Sequence, residues 1–306
     1  MDKISKSKHV GILGTTGTIT SDSYSLEIKK MFPHMTVTGE ACPMTDTERA
    51  SLTEALRLPQ TDAPEVKTET IVFKNLPAQW KGTTIALLSD LHVGPVQRKE
   101  WLSEIVKRTN DLNPDIVMVT GDFIDGRVQK LLPELEPLKH LKSKHGVYAV
   151  SGNHEYYSVY QEWMAALPTL GIKILRNGSD VLTKDGASLE VGGTTDLGAS
   201  RFGEEAPNVE KTFSGTTPED FRILLAHQPK TGSLTKEKFD LQLSGHTHGG
   251  HIFFMYPLLA YFNDGLVSGF YDRGEKKVYV TNGSGLWNGF TMRVGVPSEI
   301  TLITLE

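Results

Sequence analysis

Five short apolar runs in this chain each end in a residue able to bind a metal ion, and that recurrence restricts the fold more than any other feature. Ile85 to Ser89 precedes Asp90-Leu91-His92, Ile116 to Thr120 precedes Gly121-Asp122, and Val147 to Ser151 precedes Gly152-Asn153-His154-Glu155. Farther on, Ile223 to Ala226 leads into His227, and Leu241-Gln242-Leu243-Ser244 into Gly245-His246-Thr247-His248-Gly249-Gly250. Short continuous apolar runs bounded by glycine and polar residues are expected as buried strands. Every candidate ligand then sits just beyond the carboxyl end of a strand, where open α/β sheets assemble their sites.

The spacing supplies the connections. Asp90 to Asp122 is 122 − 90 = 32 residues and Asp122 to Asn153 is 153 − 122 = 31, each about the length of one βαβ unit. Helical patterns fill the gaps at about 98–112, with Trp101, Ile105 and Val106 on one face, at 128–141, and at 160–170. The first three motifs are therefore expected from successive crossovers on one parallel sheet. Beyond Leu170 the pattern shortens to 173–175, 181–183 and 189–192, which predicts antiparallel structure beside that sheet. Strands at 222–226, 241–243, 277–281 and 299–305 close the chain. The expected fold is α/β: a four-layer α/β/β/α sandwich of two mixed sheets, which buries every one of these runs.

The ligand types are His, Asp and Asn, with no thiolate. That set suits two neighbouring borderline-to-hard divalent ions better than a structural cysteine site. The lone Cys42 excludes an intramolecular disulfide and is compatible with a reducing compartment. A net charge of -5 and a pI near 6.1 leave no basic footprint, so nucleic acid is not favoured as a partner. The lysines near Met1 are followed by no apolar core of a signal peptide, and no run approaches the roughly 18 apolar residues of a membrane span. The expected location is cytoplasmic or peripheral to a membrane.

Residues 1–44 read as a short βαβ-like appendage: a strand at 10–13, the turn Gly14-Thr15-Thr16-Gly17-Thr18, a helix at 24–32 and a strand at 35–39. The turn fits neither phosphate-binding glycine fingerprint. Residues 45–67 are polar, contain Pro59 and Pro64, and read as a linker with one helical pattern at 48–58. The main domain is expected over 68–306. Residues 9–44 resemble an interior piece of the bacterial glutamate racemase family, with its "GTxGT" turn and "ACP" segment. Neither catalytic cysteine of that family is carried over, so no racemase activity is expected.

Taken in order, Asp90-x-His92, Gly121-Asp122-x-x-Asp125, Gly152-Asn153-His154-Glu155, His227 and Gly245-His246-x-His248 resemble the five motifs of the calcineurin-like metallophosphoesterases. The flanking words further resemble a bacterial branch that includes membrane-associated phosphoesterases and some UDP-2,3-diacylglucosamine pyrophosphohydrolases. The resemblance implies two divalent ions, of Mn, Zn, Fe or Mg. One would be held by Asp90, His92, Asp122 and His248, the other by Asp122, Asn153, His227 and His246. It implies a bridging water or hydroxide that attacks a phosphodiester, pyrophosphate or phosphomonoester, in a small molecule or a lipid-linked substrate. A carboxylate shared by two cations is the natural bridge, and the neutral Asn153 limits negative charge where a phosphate must approach. His154 would stabilise charge or protonate the leaving oxygen.

Other residues stand at the edge of this reading. Alone, His227 would be an ordinary core or surface histidine; only its place between Asn153 and His246 makes it a ligand. Asp125 and Glu155 are expected as supporting or capping groups. His251 replaces the glutamine common after "GHTHGG" and either reaches the site's edge or is a simple polar substitution. Asn282 to Asn288 and Arg293 are expected as another cleft wall, with Arg293 and His251 as candidate substrate contacts. His9, His34, His140 and His145 lie outside every motif and read as solvated. The apolar stretch 252–262 (IFFMYPLLAYF) is either a loop packed on the sheet edge or a lip for an acyl chain or membrane surface. The alternative to an enzyme is a metal-binding scaffold, which should have lost ligands; here all seven positions and His154 are filled.

Overall fold

The computed structural model describes residues 9–14, 36–41, 63–215, 220–291 and 293–306. Strands β1 (His9–Gly14) and β2 (Thr36–Ala41) pair in parallel as a two-stranded sheet, the arrangement a βαβ unit requires. The helices expected at 24–32 and 48–58 lie outside the described residues.

The remaining strands build two six-stranded mixed sheets. The first contains β3 (Glu65–Ile71), β4 (Thr84–Leu88), β5 (Ile116–Val119), β6 (Val147–Ala149), β7 (Lys173–Ile174) and β14 (Glu299–Leu305), in the order β3-β14-β4-β5-β6-β7. The second contains β8 (Gly178–Lys184), β9 (Ala187–Gly193), β10 (Phe221–Leu225), β11 (Leu241–Ser244), β12 (Gly269–Arg273) and β13 (Lys276–Val280), in the order β12-β13-β11-β10-β9-β8. β3 starts inside the stretch expected as a linker.

The continuous apolar runs follow from sheets covered on both faces. Along β4, Ile85 and Leu87 join the core between the sheets, whereas Ala86 and Leu88 join the core under the helices. On β5 the same alternation separates Ile116 and Met118 from Val117 and Val119. The second sheet meets the first through Val191, Ile223, Leu225 and Leu243, and covers its far face with Leu224, Ala226, Val209 and Phe213. Truncating such a fully buried leucine costs about 2–5 kcal/mol.

Helix α1 (Lys99–Asp111) turns Leu102, Ile105, Val106 and Thr109 inward, close to the expected span. The segment 128–141 is not the single helix its periodicity predicts. One turn at Val128–Leu131 is followed by a separate 3₁₀ segment, Glu136–His140, because Pro133 and Pro137 lack the N–H donors an unbroken ladder needs. Near 160–170 a further helix runs only over Tyr160–Ala166, and Pro168 sits in the 3₁₀ turn that ends the segment.

Two strand expectations also need correction. β7 is not antiparallel but extends the first sheet in parallel beside β6, while β8 and β9 form the antiparallel pair. β12 has no counterpart in the sequence reading; its residues Gly-Phe-Tyr-Asp-Arg form a largely exposed edge strand paired with β13. β4, β5 and β6 are parallel neighbours, as the motif spacing predicts. The ends of β10 and β11 lie side by side in the other sheet.

Candidate metal centre

Loops after β4, β5, β6, β10 and β11 converge on one buried cluster. The first two are laced together by backbone bonds: Asp90 N donates to Gly121 O (3.0 Å) and His92 N to Asp122 O (3.0 Å). Close approach requires glycine beside the ligands. A Cβ on Gly152 would lie 2.1 Å from Asp122 Oδ1, and one on Gly245 2.3 Å from Asp90 Oδ2. The chain also accepts left-handed backbone at Asp90 (φ 52°), His92 (46°), Asp122 (55°), His246 (71°) and His248 (49°). Non-glycine residues in this region are uncommon and cost about 1–3 kcal/mol each in strained cases, which is why they gather at functional sites.

Three sets of side chains bring possible ligand atoms together: Asp90, His92 and His248; Asp122, His227 and His246; and, sharing His92 with the first, His92, Asp125 and His154. In the first, Asp90, His92 and His248 bring their ligand atoms together: His92 Nε2 is 3.1 Å from His248 Nε2, and His248 Nε2 is 3.5 Å from Asp90 Oδ1. In the second, His227 Nε2 is 3.0 Å from Asn153 Oδ1, 3.1 Å from His246 Nδ1 and 3.2 Å from Asp122 Oδ2. Asp122 Oδ2 also lies 3.7 Å from His92 Nε2. Asp90, His92, Asp122, Asn153, His227, His246 and His248 thus lie in one cluster.

His227 tests whether these residues suit a cation. Its Nδ1 is 2.7 Å from the Thr120 carbonyl, which accepts only if Nδ1 carries the proton. In the neutral ring, the Nε2 lone pair then faces a carboxylate, a carboxamide oxygen and a second imidazole nitrogen. A metal ion at this point would satisfy all of these electron pairs together, and donor atoms about 3 Å apart match ligands each about 2.1 Å from one ion. Without a metal a proton takes that place: burial opposes it, but Asp122 lifts the His227 pKa to about 10. Burial and the neighbouring His227 drop His246 to about 3, and burial with His251 and Arg293 holds His248 well below its ordinary value, so both rings are neutral. Burial would raise Asp122, yet His227, His154 and His92 keep it well below the usual carboxylate range.

His154 stands beside these groups. Its backbone N–H donates to Asp122 Oδ1 (2.8 Å), and its Nδ1 lies 2.5 Å from Asp125 Oδ1. Burial acts against its charge, but Asp125 and Asp122 prevail and lift the pKa to about 9. Asp125 does more than support one residue. The same Oδ1 is 3.1 Å from His92 Nδ1, and Oδ2 accepts from Asn288 N (3.2 Å) and Nδ2 (2.7 Å). Glu155 accepts from Asp122 N (3.1 Å), Phe123 N (2.8 Å) and Gly152 N (2.6 Å), which staples two ligand loops. Burial, with the charge of Asp122, raises its pKa to about 7.

The edge residues are resolved one by one. His251 stacks on His248 at 4.4 Å between ring centroids, which puts it at the site's edge. Arg293 does not present itself as an anion clamp: it is buried, and its guanidinium faces backbone carbonyls of Asn282, Gly285 and His248. Trp287 and Tyr157, which motif order does not single out, flank the His154 ring at 6.1 and 5.1 Å. His34 lies outside the described residues; His140 is exposed, whereas His145 packs its ring against Trp80 rather than being fully solvated. The 252–262 stretch is only partly covered, with Ile252, Leu258, Leu259, Ala260 and Phe262 half-buried. Helix Tyr256–Phe262 has no buried residue, Phe253 is 64% exposed and Tyr261 72%. Among the described residues, no helix is long and apolar enough to cross a membrane.

The calcineurin-like phosphoesterase family model matches residues 83–250. A transmembrane protein with a metallophosphoesterase domain from Danio rerio is 38% identical over 255 residues, which cover 79% of this chain and 57% of that protein. An uncharacterized metallophosphoesterase from Campylobacter jejuni is 36% identical over 84% of this chain and 66% of its own length. Another, from Aquifex aeolicus, is 32% identical over 79% of this chain and 91% of its own. The chain thus spans less than two thirds of the first two relatives and nearly all of the third. With the matched region holding Asp90, His92, Asp122, Asn153, His227, His246 and His248, the chain belongs to the calcineurin-like phosphoesterase family.

Proposed function

We propose that the chain is a two-metal phosphoester hydrolase acting on a phosphodiester or pyrophosphate bond. The observation that carries this is Asp122 Oδ2, lying 3.2 Å from His227 Nε2 in one ligand group and 3.7 Å from His92 Nε2 in the other. Asp90, His92, Asp122 and His248 would hold one divalent ion, and Asp122, Asn153, His227 and His246 the second. When bound, the ions supply charge neutralisation at the phosphoryl oxygens and a water acidic enough to serve as nucleophile near neutral pH.

The protein's own groups do the rest. Asp125 keeps His154 protonated and aimed, and His154 delivers its proton from Nε2 to the leaving oxygen, a contribution typically about 10²- to 10⁴-fold. Thr120 O and Asp125 fix the His227 and His92 rings through their Nδ1 protons, leaving each Nε2 for an ion. Trp287 and Tyr157 narrow the approach to His154 and limit bulk water there. The apolar helix Tyr256–Phe262, which follows the His246/His248 loop and exposes Tyr256 and Tyr261, supports a substrate with a lipid moiety or docking at a membrane surface.

The test is a substrate panel on full-length protein loaded with Mn, Zn, Fe or Mg. It compares a nitrophenyl diester, a nitrophenyl monoester, a nucleotide-sugar pyrophosphate and a phospholipid in vesicles. Turnover of the diester or pyrophosphate above the monoester is expected. Monoester turnover alone would contradict the bond type, and metal binding without any turnover would favour the scaffold alternative.

A further inference from the structure

We infer that Arg293 is a positioning residue for the first cation site, locking His248 to the loop that seats Asp90. The inference rests on the two-metal reading above and concerns how one of its sites is held. Arg293 Nη1 donates to His248 O (3.2 Å), and Nη2 donates to Asn282 O (2.7 Å) and Gly285 O (2.8 Å), with Gly283 O at 3.4 Å. Nη2 also lies 3.0 Å from His248 Nδ1. The segment Asn282–Gly285 leaves the end of β13 and presses on the Asp90 loop. Ser284 N donates to Ser89 O (2.8 Å) and Gly285 N to Asp90 O (2.9 Å). The contact is close enough that a Cβ on Gly283 would sit 2.8 Å from Asp90 Cβ, and one on Gly285 2.3 Å from Leu91 O. One planar guanidinium therefore spans the ends of β11 and β13, and through the latter the end of β4.

The chemistry favours positioning over substrate contact. Nη2 has two hydrogens, and the two shortest carbonyl bonds consume them. Among the described residues Arg293 makes no contact ion pair with a carboxylate, and Asp90 and Glu299 offset the burial of its charge only in part. A buried positive charge beside a cation site is electrostatically unfavourable unless its hydrogen bonds are needed there. Arginine alone offers a fixed fork of donors able to hold several carbonyls at once; a lysine ammonium has neither the plane nor the reach.

The test is calorimetric titration of the full chain with Mn²⁺, comparing wild type with Arg293→Gln and Arg293→Lys, alongside KM and kcat for a nitrophenyl diester. Both variants are expected to bind one ion normally and the other about 10- to 100-fold more weakly, the usual effect of losing a group that orients a ligand. Lysine should not rescue. Two unchanged binding steps with a raised KM would mean that Arg293 contacts substrate, and would overturn the inference. If Arg293→Gln does not fold, Arg293→Lys carries the comparison together with a cycle on His248→Ala. Adding Arg293→Lys to His248→Ala should weaken the first site by less than the sum of the two single losses, and fully additive losses would contradict action through His248. Absence of Mn²⁺ binding by the wild type would instead remove the two-metal reading, and the inference with it.

Discussion

Replacing Asp125 by asparagine strikes two functions through one atom. Asp125 Oδ1 is shared by His92 Nδ1 at 3.1 Å and His154 Nδ1 at 2.5 Å, while Oδ2 accepts two bonds from Asn288. An asparagine matches the size but has only one acceptor oxygen. Either the imidazoles meet an NH₂ group, or Asn288 does. A hydrogen bond to a charged group contributes about 1.5–3 kcal/mol, which at about 1.36 kcal/mol per tenfold is about 10- to 100-fold at each imidazole. Mn²⁺ affinity should fall by that factor at the His92 site alone, and kcat by a similar or larger factor because His154 loses its counter-charge. The pH dependence has a definite sign. Asp125 helps to lift the His154 pKa to about 9, so the proton-donating form is lost as pH rises through that value. Without Asp125 the alkaline limb of kcat should move to lower pH. Calorimetry and a pH–rate profile on a substrate with a poor leaving group check both arms. Wild-type Mn²⁺ binding with an unmoved alkaline limb would refute the shared-carboxylate reasoning.

Three further outcomes are expected. His154→Ala should keep both metals and lose about 10²- to 10⁴-fold in kcat, least for a nitrophenolate leaving group that needs no proton, as a leaving-group series will measure. Gly245→Ala would place a methyl 2.0 Å from Ser89 Oγ and 2.3 Å from Asp90 Oδ2; overpacking of about 1–3 kcal/mol should appear as a lowered Tm, together with weakened metal binding by calorimetry. Deleting residues 1–60, which end before β3 begins at Glu65, should leave turnover of a small activated diester unchanged, since every proposed ligand lies beyond them.

The site was legible where its chemistry is local in sequence. Each ligand follows an apolar strand, so both the strand ends and the convergence of the loops could be read from Asp90, Asp122, Asn153, His227 and the His246/His248 pair. What escaped depends on contacts between distant segments. Asp125 looks like a minor acid until Asn288, far along the chain, is seen to fix its second oxygen. Arg293 has the composition of a phosphate contact, and only the three-dimensional path of Asn282–Gly285 turns it inward. The strand pairing of β7 escaped for a related reason: two residues carry no periodicity that distinguishes parallel from antiparallel partners. The broken 128–141 segment was open to prediction, because Pro133 and Pro137 are visible in the sequence and outweigh its apolar spacing.

The central claim is that Asp122 is shared by two cation sites, and counting bound ions tests it most directly. Elemental analysis and Mn²⁺ titration of the wild type should give two ions per chain; His92→Ala should chiefly weaken one, and Asp122→Asn should weaken both together. Two ions bound at wild-type affinity with normal turnover in Asp122→Asn, or loss of one ion alone, would contradict the account.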